Sequence, residues 1–302
     1  MGSTMVQLMT QVTQELGVPV PSTVAGNNSQ DIVQLLALMN AVGYELVRRA
    51  EWRELTKQYT FYTEATTATG NWVNGVAAIT GLVSTTGLDT TYQVQGVGIP
   101  NATYITSVGP TSVALNYQVT QTVTGGTATF QKVKYALPAD YVATVNRTHW
   151  DKSKRWEMLG PETAQQWEWL LSGYISTGPR VRWRLLGKYF QIWPGMNAGE
   201  LLGFEYRSAA WAESAGGTAQ NSFTADSDTC IYPDRLMVLG TKLKYFEAKG
   251  FDTTALYRDY SGELEAAMAQ NMAAANISFA PRPGTVLIGY DNIPDSGYGT
   301  GT

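Results

Sequence analysis

The chain has 302 residues, of which 44% are hydrophobic and 15% are charged, and its formal net charge is -4. A chain of this length can bury about 75% of the surface that it exposes when unfolded, which suffices for one large domain or two smaller ones. The acidic balance argues against a protein that binds duplex nucleic acid, because such proteins normally carry a basic face.

The N-terminal segment predicts two helices. Thr4 begins a capping-box pattern for a first helix over residues 3–17. A second, longer helix is predicted over Gln30–Arg53, where apolar or small residues recur at the i, i+3, i+4, i+7 spacing of a buried face. Asn28 or Ser29 is expected to cap it. Its apolar face needs partners, and we expect the first helix and two later helices to supply them.

The segment from residue 65 to 131 differs sharply in composition, because its only charged residue is Asp89 and Thr, Gly and Val dominate. Short β-prone runs separated by turn signals predict a small sandwich or barrel inserted into a parent domain. Tyr59–Tyr62 and Val133–Leu137 are expected to pair with each other beneath it. Two roles stay open for the insert: an exposed module that contacts a partner, or a tolerated insertion without a dedicated role.

The parent domain resumes after the insert. A short helix is predicted over Glu162–Leu171, followed by strands at Val181–Leu186, Tyr189–Trp193 and Leu201–Arg207. Two further helices begin after Pro233 and after Asp252. The tail beyond them contains Pro and Gly and cannot build a core of its own.

These elements together predict an α+β fold with a four-helix-type bundle core, β-hairpins, an inserted small all-β domain and an extended C-terminal tail. The predicted boundaries are 1–64 and 132–276 for the parent domain, 65–131 for the insert and 277–302 for the tail.

Candidate catalytic groups are sparse. His149 is the only histidine, and Cys230, the only cysteine, lies far from it in sequence, which disfavours a Cys/His or Ser/His site. A lone cysteine also excludes an intrachain disulfide and fits a reducing compartment. Glu162 and Glu168 point to different sides of one short helix, which does not suit glycoside hydrolysis.

Ligand motifs are equally scarce. No His/Cys cluster of the zinc-binding type occurs, and Asp226 and Asp228 lack the glycine and the distal glutamate of a calcium loop. No apolar run approaches the ~20 residues of a membrane span. We therefore expect no enzyme activity, no metal, no cofactor and no membrane insertion.

The segment from Arg147 to Trp193 interleaves basic and aromatic residues, a pattern that single-strand binding or sugar stacking would use. A subunit or partner interface is favoured instead, because tryptophans fill cores and interfaces more often and the whole chain is acidic. The interface candidates are Arg180, Arg182, Trp183, Arg184 and Trp193.

The order of these elements resembles the head–tail adaptor (connector) proteins of tailed bacteriophages, the tail tubular protein A-like portal adaptors. The stretches that carry the resemblance are Leu36–Trp52, Tyr135–Tyr141, Tyr189–Arg207 and Phe223–Asp252. Their order and spacing, rather than any single motif, make the match. The insert is similar to small β-modules of phage tail proteins.

The resemblance implies a structural virion protein at the head–tail junction, assembled in the host cytoplasm as a ring of usually twelve copies between the portal and the tail tube or nozzle. Genomic DNA would pass through the lumen without sequence-specific binding during packaging retention and ejection. The implied portal-binding residues lie in the tail: Phe279, Pro281, Pro283, Val286, Leu287, Ile288 and Tyr290.

Two alternatives stay open. One is another structural subunit of the tail, such as a nozzle or stopper protein, although a nozzle should be larger and mostly β. The other is a carbohydrate-binding tail protein that uses the Trp-rich segment, in which Trp183 or Trp193 would stack on a sugar.

Overall fold

The computed structural model describes residues 2–172 and 180–271. Within these residues the chain forms five α-helices: α1 (Met5–Leu16), α2 (Gln30–Arg49), α3 (Ala164–Leu171), α4 (Asp234–Lys249) and α5 (Thr254–Asn271). A 3₁₀ turn, Arg53–Leu55, follows α2.

The strands of the described residues form four sheets. The insert forms a six-stranded sheet of β2 (Ala65–Trp72), β3 (Ala78–Ile79), β4 (Tyr92–Gln95), β5 (Thr103–Val108), β6 (Val113–Leu115) and β7 (Val123–Lys132). A five-stranded sheet contains β1 (Thr56–Tyr62), β9 (Tyr141–Thr144), β10 (Trp150–Asp151), β11 (Trp156–Glu157) and β14 (Leu201–Ser208). The two three-stranded sheets contain β8 (Lys134–Ala136), β12 (Arg182–Leu186) and β13 (Tyr189–Trp193), and β15 (Ala212–Glu213), β16 (Ala219–Gln220) and β17 (Thr229–Cys230).

Local sequence signals set the ends of two helices. Thr4 and Gln7 form the capping box at the start of α1, and Gly17 ends that helix with a left-handed backbone, φ 70°. Gly250 ends α4 in the same way, φ 73°. Ser29 is the N-cap residue of α2, but its side chain makes no cap hydrogen bond, so the side-chain cap expected from it does not form.

The predicted helical-bundle core is wrong. The fold is mixed α/β and predominantly sheet, and α4 packs against α1, α2 and α5 in one layer. Aromatic side chains from outside the helices complete the core of this layer, namely Trp211, Phe223 and Tyr232. Gly43 of α2 makes room for one of them, because a Cβ there would lie 2.2 Å from the Trp211 ring. The apolar face of α2 is therefore covered partly by the segment between β14 and α4, and not by helices alone.

The insert forms a nearly closed, barrel-like sheet in the order β2-β7-β4-β5-β6-β3. Asn71 at the end of β2 exchanges two backbone hydrogen bonds of 2.8 Å with Thr80, which follows β3. Side chains that alternate along the strands fill the interior, including Trp72, Val94 and Phe130.

The five-stranded sheet is built around β14, which pairs with β1, β9 and β10. The expected pairing of Tyr59–Tyr62 with Val133–Leu137 is wrong, because β1 pairs with β14 along its whole length and β8 pairs with β13. The two segments meet through side chains instead: the Phe61 and Tyr135 rings lie 4.4 Å apart in a core between two sheets.

The barrel also contacts the rest of the chain. Ala102 of the barrel packs in one buried cluster with Trp167 and Leu170 of α3 and with Trp193 of β13. At its base, Lys132 N donates to the Glu64 carbonyl at 2.9 Å, so the two ends of the insert lie side by side. Whether the barrel can be removed without loss of the parent fold stays a prediction.

The predicted tail, 277–302, lies outside the described residues, as do all seven portal-binding candidates.

Candidate functional site

His149 is a packing residue of the core between two sheets. Its ring stacks on Trp183 with centroids 3.7 Å apart and an interplanar angle of 17°, and it also lies over Phe204. The residue is 1% exposed, and its Nε2 has no hydrogen-bond partner among the described residues. Burial lowers the pKa of His149 to about 4, so the ring is neutral at pH 7. No nucleophile of the described residues is hydrogen-bonded to it.

Cys230 is also buried. Its Sγ lies 3.5 Å from the Tyr232 carbonyl oxygen, and burial raises the pKa of the thiol to about 12. A thiol with this pKa is protonated at pH 7 and is a poor nucleophile.

The acidic candidates have structural partners. Glu162 forms an ion pair of 2.6 Å with Arg182. Asp226 Oδ1 accepts from the backbone amides of Val24 and Ala25, at 2.9 and 2.7 Å, and therefore fastens the segment before α2. Asp228 closes its own turn by accepting from the amides of residues 224 and 225. Both aspartates therefore fasten loops. Among residues 2–172 and 180–271, no group of three or more metal-ligating side chains comes together.

The interface candidates divide into buried and exposed groups. Trp183 and Trp193 are each 2% exposed and lie in the interior of the protein. Arg182 is held by Glu162, whereas Arg184 is half-buried and Arg180 is exposed. A partner on this side of the molecule can therefore reach the arginines but not the tryptophans. The same burial removes the two rings on which the carbohydrate alternative depends.

A cavity of about 420 Å³ lies where α5 ends. Trp52, Tyr232, Asp234 and Ala267 are among its lining residues. The Tyr232 hydroxyl is buried without a partner in the described part of the chain, and burial raises its pKa. The Asp234 carboxylate is occupied, since it accepts from the amide and the hydroxyl of Ser3, at 3.1 and 2.5 Å.

Asn271 fixes the edge of this cavity. Its Oδ1 accepts from the Arg53 amide at 3.1 Å, and its Nδ2 donates to the Glu51 carbonyl at 3.0 Å. The last described residue of α5 is therefore joined to the link between α2 and β1. From this point the chain continues into the segment that contains the portal-binding candidates.

Asp140 is a structural site that the sequence reasoning did not find. Its carboxylate accepts from Lys57 Nζ at 2.9 Å, from the Tyr206 hydroxyl at 2.9 Å and from Ser208 Oγ at 2.5 Å. Burial by itself raises the pKa of the Asp140 carboxyl, but these hydrogen bonds outweigh it and hold the pKa below its ordinary value. The sequence shows an acidic residue in the Leu-Pro-Ala-Asp-Tyr turn. It does not show the donors that bind this residue, because they are distant in sequence.

Comparisons with protein-family models and with curated proteins find no match for this chain. The resemblance to head–tail adaptors therefore stays a prediction. Of the five helices in the described residues, none combines the length and the hydropathy that a membrane span needs.

Proposed function

We propose that the protein is a non-enzymatic subunit of a tailed-phage head–tail adaptor ring, placed between the portal and the next tail component. The observation that carries the proposal is the assembly of the four matched stretches into two contiguous units. The first unit joins α2 to the segment that contains α4. Asn40 Oδ1 accepts from the Phe223 amide at 2.8 Å, and Glu45 pairs with Lys244 at 2.6 Å.

The second unit joins the other two stretches. In it β8 pairs with β13, and β9, which begins at Tyr141, pairs with β14. Trp52 connects the two units, because its ring meets Tyr232 at 5.0 Å while the chain passes directly from it into the 3₁₀ turn and β1. Four stretches that are separated in sequence thus form one framework, as a resemblance based on order and spacing requires.

The charge of the chain also supports a conduit. A subunit with a net charge of -4 that is repeated around a ring repels DNA on average, so DNA can pass without being held. The portal partner, the twelve copies, the virion location and the absence of catalysis are parts of the same proposal.

The C-terminal segment is proposed to bind the portal. A segment with apolar anchors but no core of its own gains most by folding onto a partner, at an ordering cost of ~2–5 kcal/mol. The cavity beside Asn271 lies at the start of this segment and gives the portal a surface next to it.

The test is the particle formed with purified portal, observed by electron microscopy. We expect rings of the full chain on the portal, loss of attachment when residues 277–302 are deleted, and retained attachment when only residues 294–302 are deleted. The shorter deletion is the matched control, because it keeps every portal-binding candidate. A persistent monomer that never forms rings on the portal contradicts the proposal as a whole, and attachment by the long deletion contradicts the role of the tail.

A further inference from the structure

The outer face of the five-stranded sheet carries a groove of about 450 Å³. We call it the Gly203 groove, after the residue at its floor. The lining residues on which its chemistry depends are Arg147, Lys152, Arg155 and Trp150, and Glu205 adds one acidic residue to the same lining.

Glycine in the central strand creates the groove. Gly203 of β14 lies directly opposite Thr60 of β1 on one side and Trp150 of β10 on the other, so these three positions share one face of the sheet. A Cβ at position 203 would lie 2.9 Å from Lys152 Cε and 3.0 Å from Thr60 Cγ2. The stem of Lys152 therefore lies across the glycine. A glycine inside a strand often marks the close approach of another group, and at Gly203 that group is the Lys152 side chain.

Three cations converge on the groove without a carboxylate partner. Arg147, Lys152 and Arg155 are exposed, and none of them makes an ion pair among the described residues. Lys154, in the same loop, behaves differently because it pairs with Glu200 at 3.2 Å. Lys154 therefore contributes to the fold, whereas the three cations of the groove are available to a ligand.

The backbone holds both arginines in place. Arg147 and Arg155 have left-handed backbones, with φ of 62° and 59°, which non-glycine residues adopt at a cost. Their loops are fixed by hydrogen bonds: Lys152 N donates to the Leu201 carbonyl at 2.8 Å, and Thr148 Oγ1 accepts from the Glu205 amide at 3.0 Å. These contacts hold the backbone from which both arginine side chains extend beside the groove.

We propose that the Gly203 groove binds a single-stranded nucleic acid through its phosphodiester backbone, with Trp150 as a stacking surface for a base. Guanidinium groups bind phosphate oxygens in a bidentate manner, and an ammonium group adds a point charge. Trp150 is partly exposed and lies on the same face, so it supplies the aromatic contact that single-strand binders combine with cations. Phosphate contacts carry no sequence information, so the binding is independent of sequence and sensitive to salt.

This inference goes beyond the adaptor proposal and does not depend on it. It assigns a local contact to one face of a chain that is acidic as a whole, and its test needs neither a portal nor a ring.

The experiment is fluorescence anisotropy of a labelled single-stranded DNA of mixed sequence with the full chain, at 50 and 200 mM NaCl. Three phosphate contacts predict a slope of about -2 in log K against log salt for a single strand, so binding weakens about 20-fold over this range. The triple variant Arg147→Gln, Lys152→Gln, Arg155→Gln is expected to bind at least tenfold more weakly at 50 mM and to lose most of the slope. The matched control Arg48→Gln, Arg53→Gln, Lys188→Gln removes the same charge from exposed positions outside the groove and is expected to bind within about twofold of the wild type.

Stacking is tested at Trp150. Trp150→Leu is expected to weaken single-strand binding about tenfold, and Trp150→Phe, which retains an aromatic face, is expected to retain most of it. Circular dichroism melting of each variant distinguishes lost binding from lost folding, and Trp150→Phe keeps the test open if Trp150→Leu does not fold.

Several results overturn the inference. Equal binding of the single strand by the wild type and the triple variant would show that the three cations do not contribute to binding. Equal affinity for a duplex, with no effect of Trp150→Leu, excludes a stacked single strand. Binding of inorganic phosphate without binding of DNA restricts the site to a small anion. If mass photometry shows that the triple variant loses self-association while DNA binding is unchanged, the groove is an interface between copies of this chain.

Discussion

The buried His149 makes a defined contribution to the pH dependence of stability. In the unfolded chain a histidine has a pKa near 6.5, whereas burial lowers it to about 4 in the folded protein. Between these two values the unfolded state binds a proton that the folded state does not. The free energy of unfolding therefore falls as the pH decreases from 6.5 to 4, and this contribution becomes constant below the lower value.

The magnitude follows from the difference in pKa. A pKa difference of about 2.5 at ~1.4 kcal/mol per pKa unit amounts to about 3.5 kcal/mol in all, of which about 3 kcal/mol is lost by pH 4. This is a large fraction of the 5–15 kcal/mol that is typical of folded proteins. The cause is structural, because the ring is 1% exposed, is stacked on Trp183 and has no partner for Nε2 among the described residues.

His149→Phe isolates the effect. Phenylalanine retains a flat ring in an aromatic stack and does not titrate. Urea unfolding of both proteins at pH 7, 6, 5 and 4 measures the free energy of unfolding of the wild type minus that of the variant. We expect this difference to fall by about 3 kcal/mol as the pH decreases from 7 to 4. The carboxyls whose pKa is held low, such as Asp140, are common to both proteins and cancel in the comparison. Parallel curves for the two proteins would contradict this prediction, because they would show that the His149 ring is solvated or gains a proton in the folded state.

Three further predictions concern packing. Asp140→Ala should lower the free energy of unfolding by about 2–3 kcal/mol at pH 7, because three donors lose a charged acceptor. The difference in stability between the wild type and the variant should decrease as the pH falls below the ordinary carboxyl pKa, and unchanged urea unfolding would contradict this role. Gly43→Ala should lower the free energy of unfolding by about 1–3 kcal/mol, because the new methyl group meets Trp211. Gly262→Ala, on the open side of α5, should raise it by about 0.5–1 kcal/mol, and urea unfolding that gives both changes the same sign would contradict the steric explanation. Replacing residues 65–131 with a short linker should leave a folded protein, because the ends of the insert are adjacent. Its melting temperature should be lower, because Trp193 no longer packs against Ala102, and loss of the folded circular dichroism spectrum would show that the insert is not a separate module.

Helix ends could be predicted because their signals are local. The capping box at Thr4 and the left-handed Gly250 need only residues within one or two turns, and both signals are present in the sequence. Several strands were predicted for the same reason, and Tyr189–Trp193 matches its predicted bounds. The long strand β2 was missed because its Thr-, Ala- and Gly-rich sequence has no apolar alternation, and its burial depends on the barrel around it.

Strand pairing and core composition could not be predicted because they depend on residues distant in sequence. The aromatic side chains of β1 contact rings of both β14 and β8, and nothing in the sequence of β1 chooses β14 over β8 as its hydrogen-bonding partner. Gly43 looks like a small residue on the apolar face of a helix, whereas its role becomes clear only from Trp211, which lies 168 positions later. The bundle prediction failed at this point, because an apolar face does not specify whether a helix or a loop covers it.

The Trp-rich segment shows how composition can single out a segment without telling which of its aromatic residues are exposed. The interleaved pattern from Arg147 to Trp193 cannot distinguish an aromatic ring that fills a core from one that faces solvent. The structure distinguishes the two kinds of ring by the face of the sheet on which each lies. Trp183 stacks on His149 in the interior, whereas Trp150 shares an outer face with Gly203. The surface that we propose to bind a single strand therefore lies in the loops at the N-terminal end of the segment, and not in its C-terminal half, where the interface was expected. There, three cations that make no ion pair among the described residues border Gly203 in the central strand.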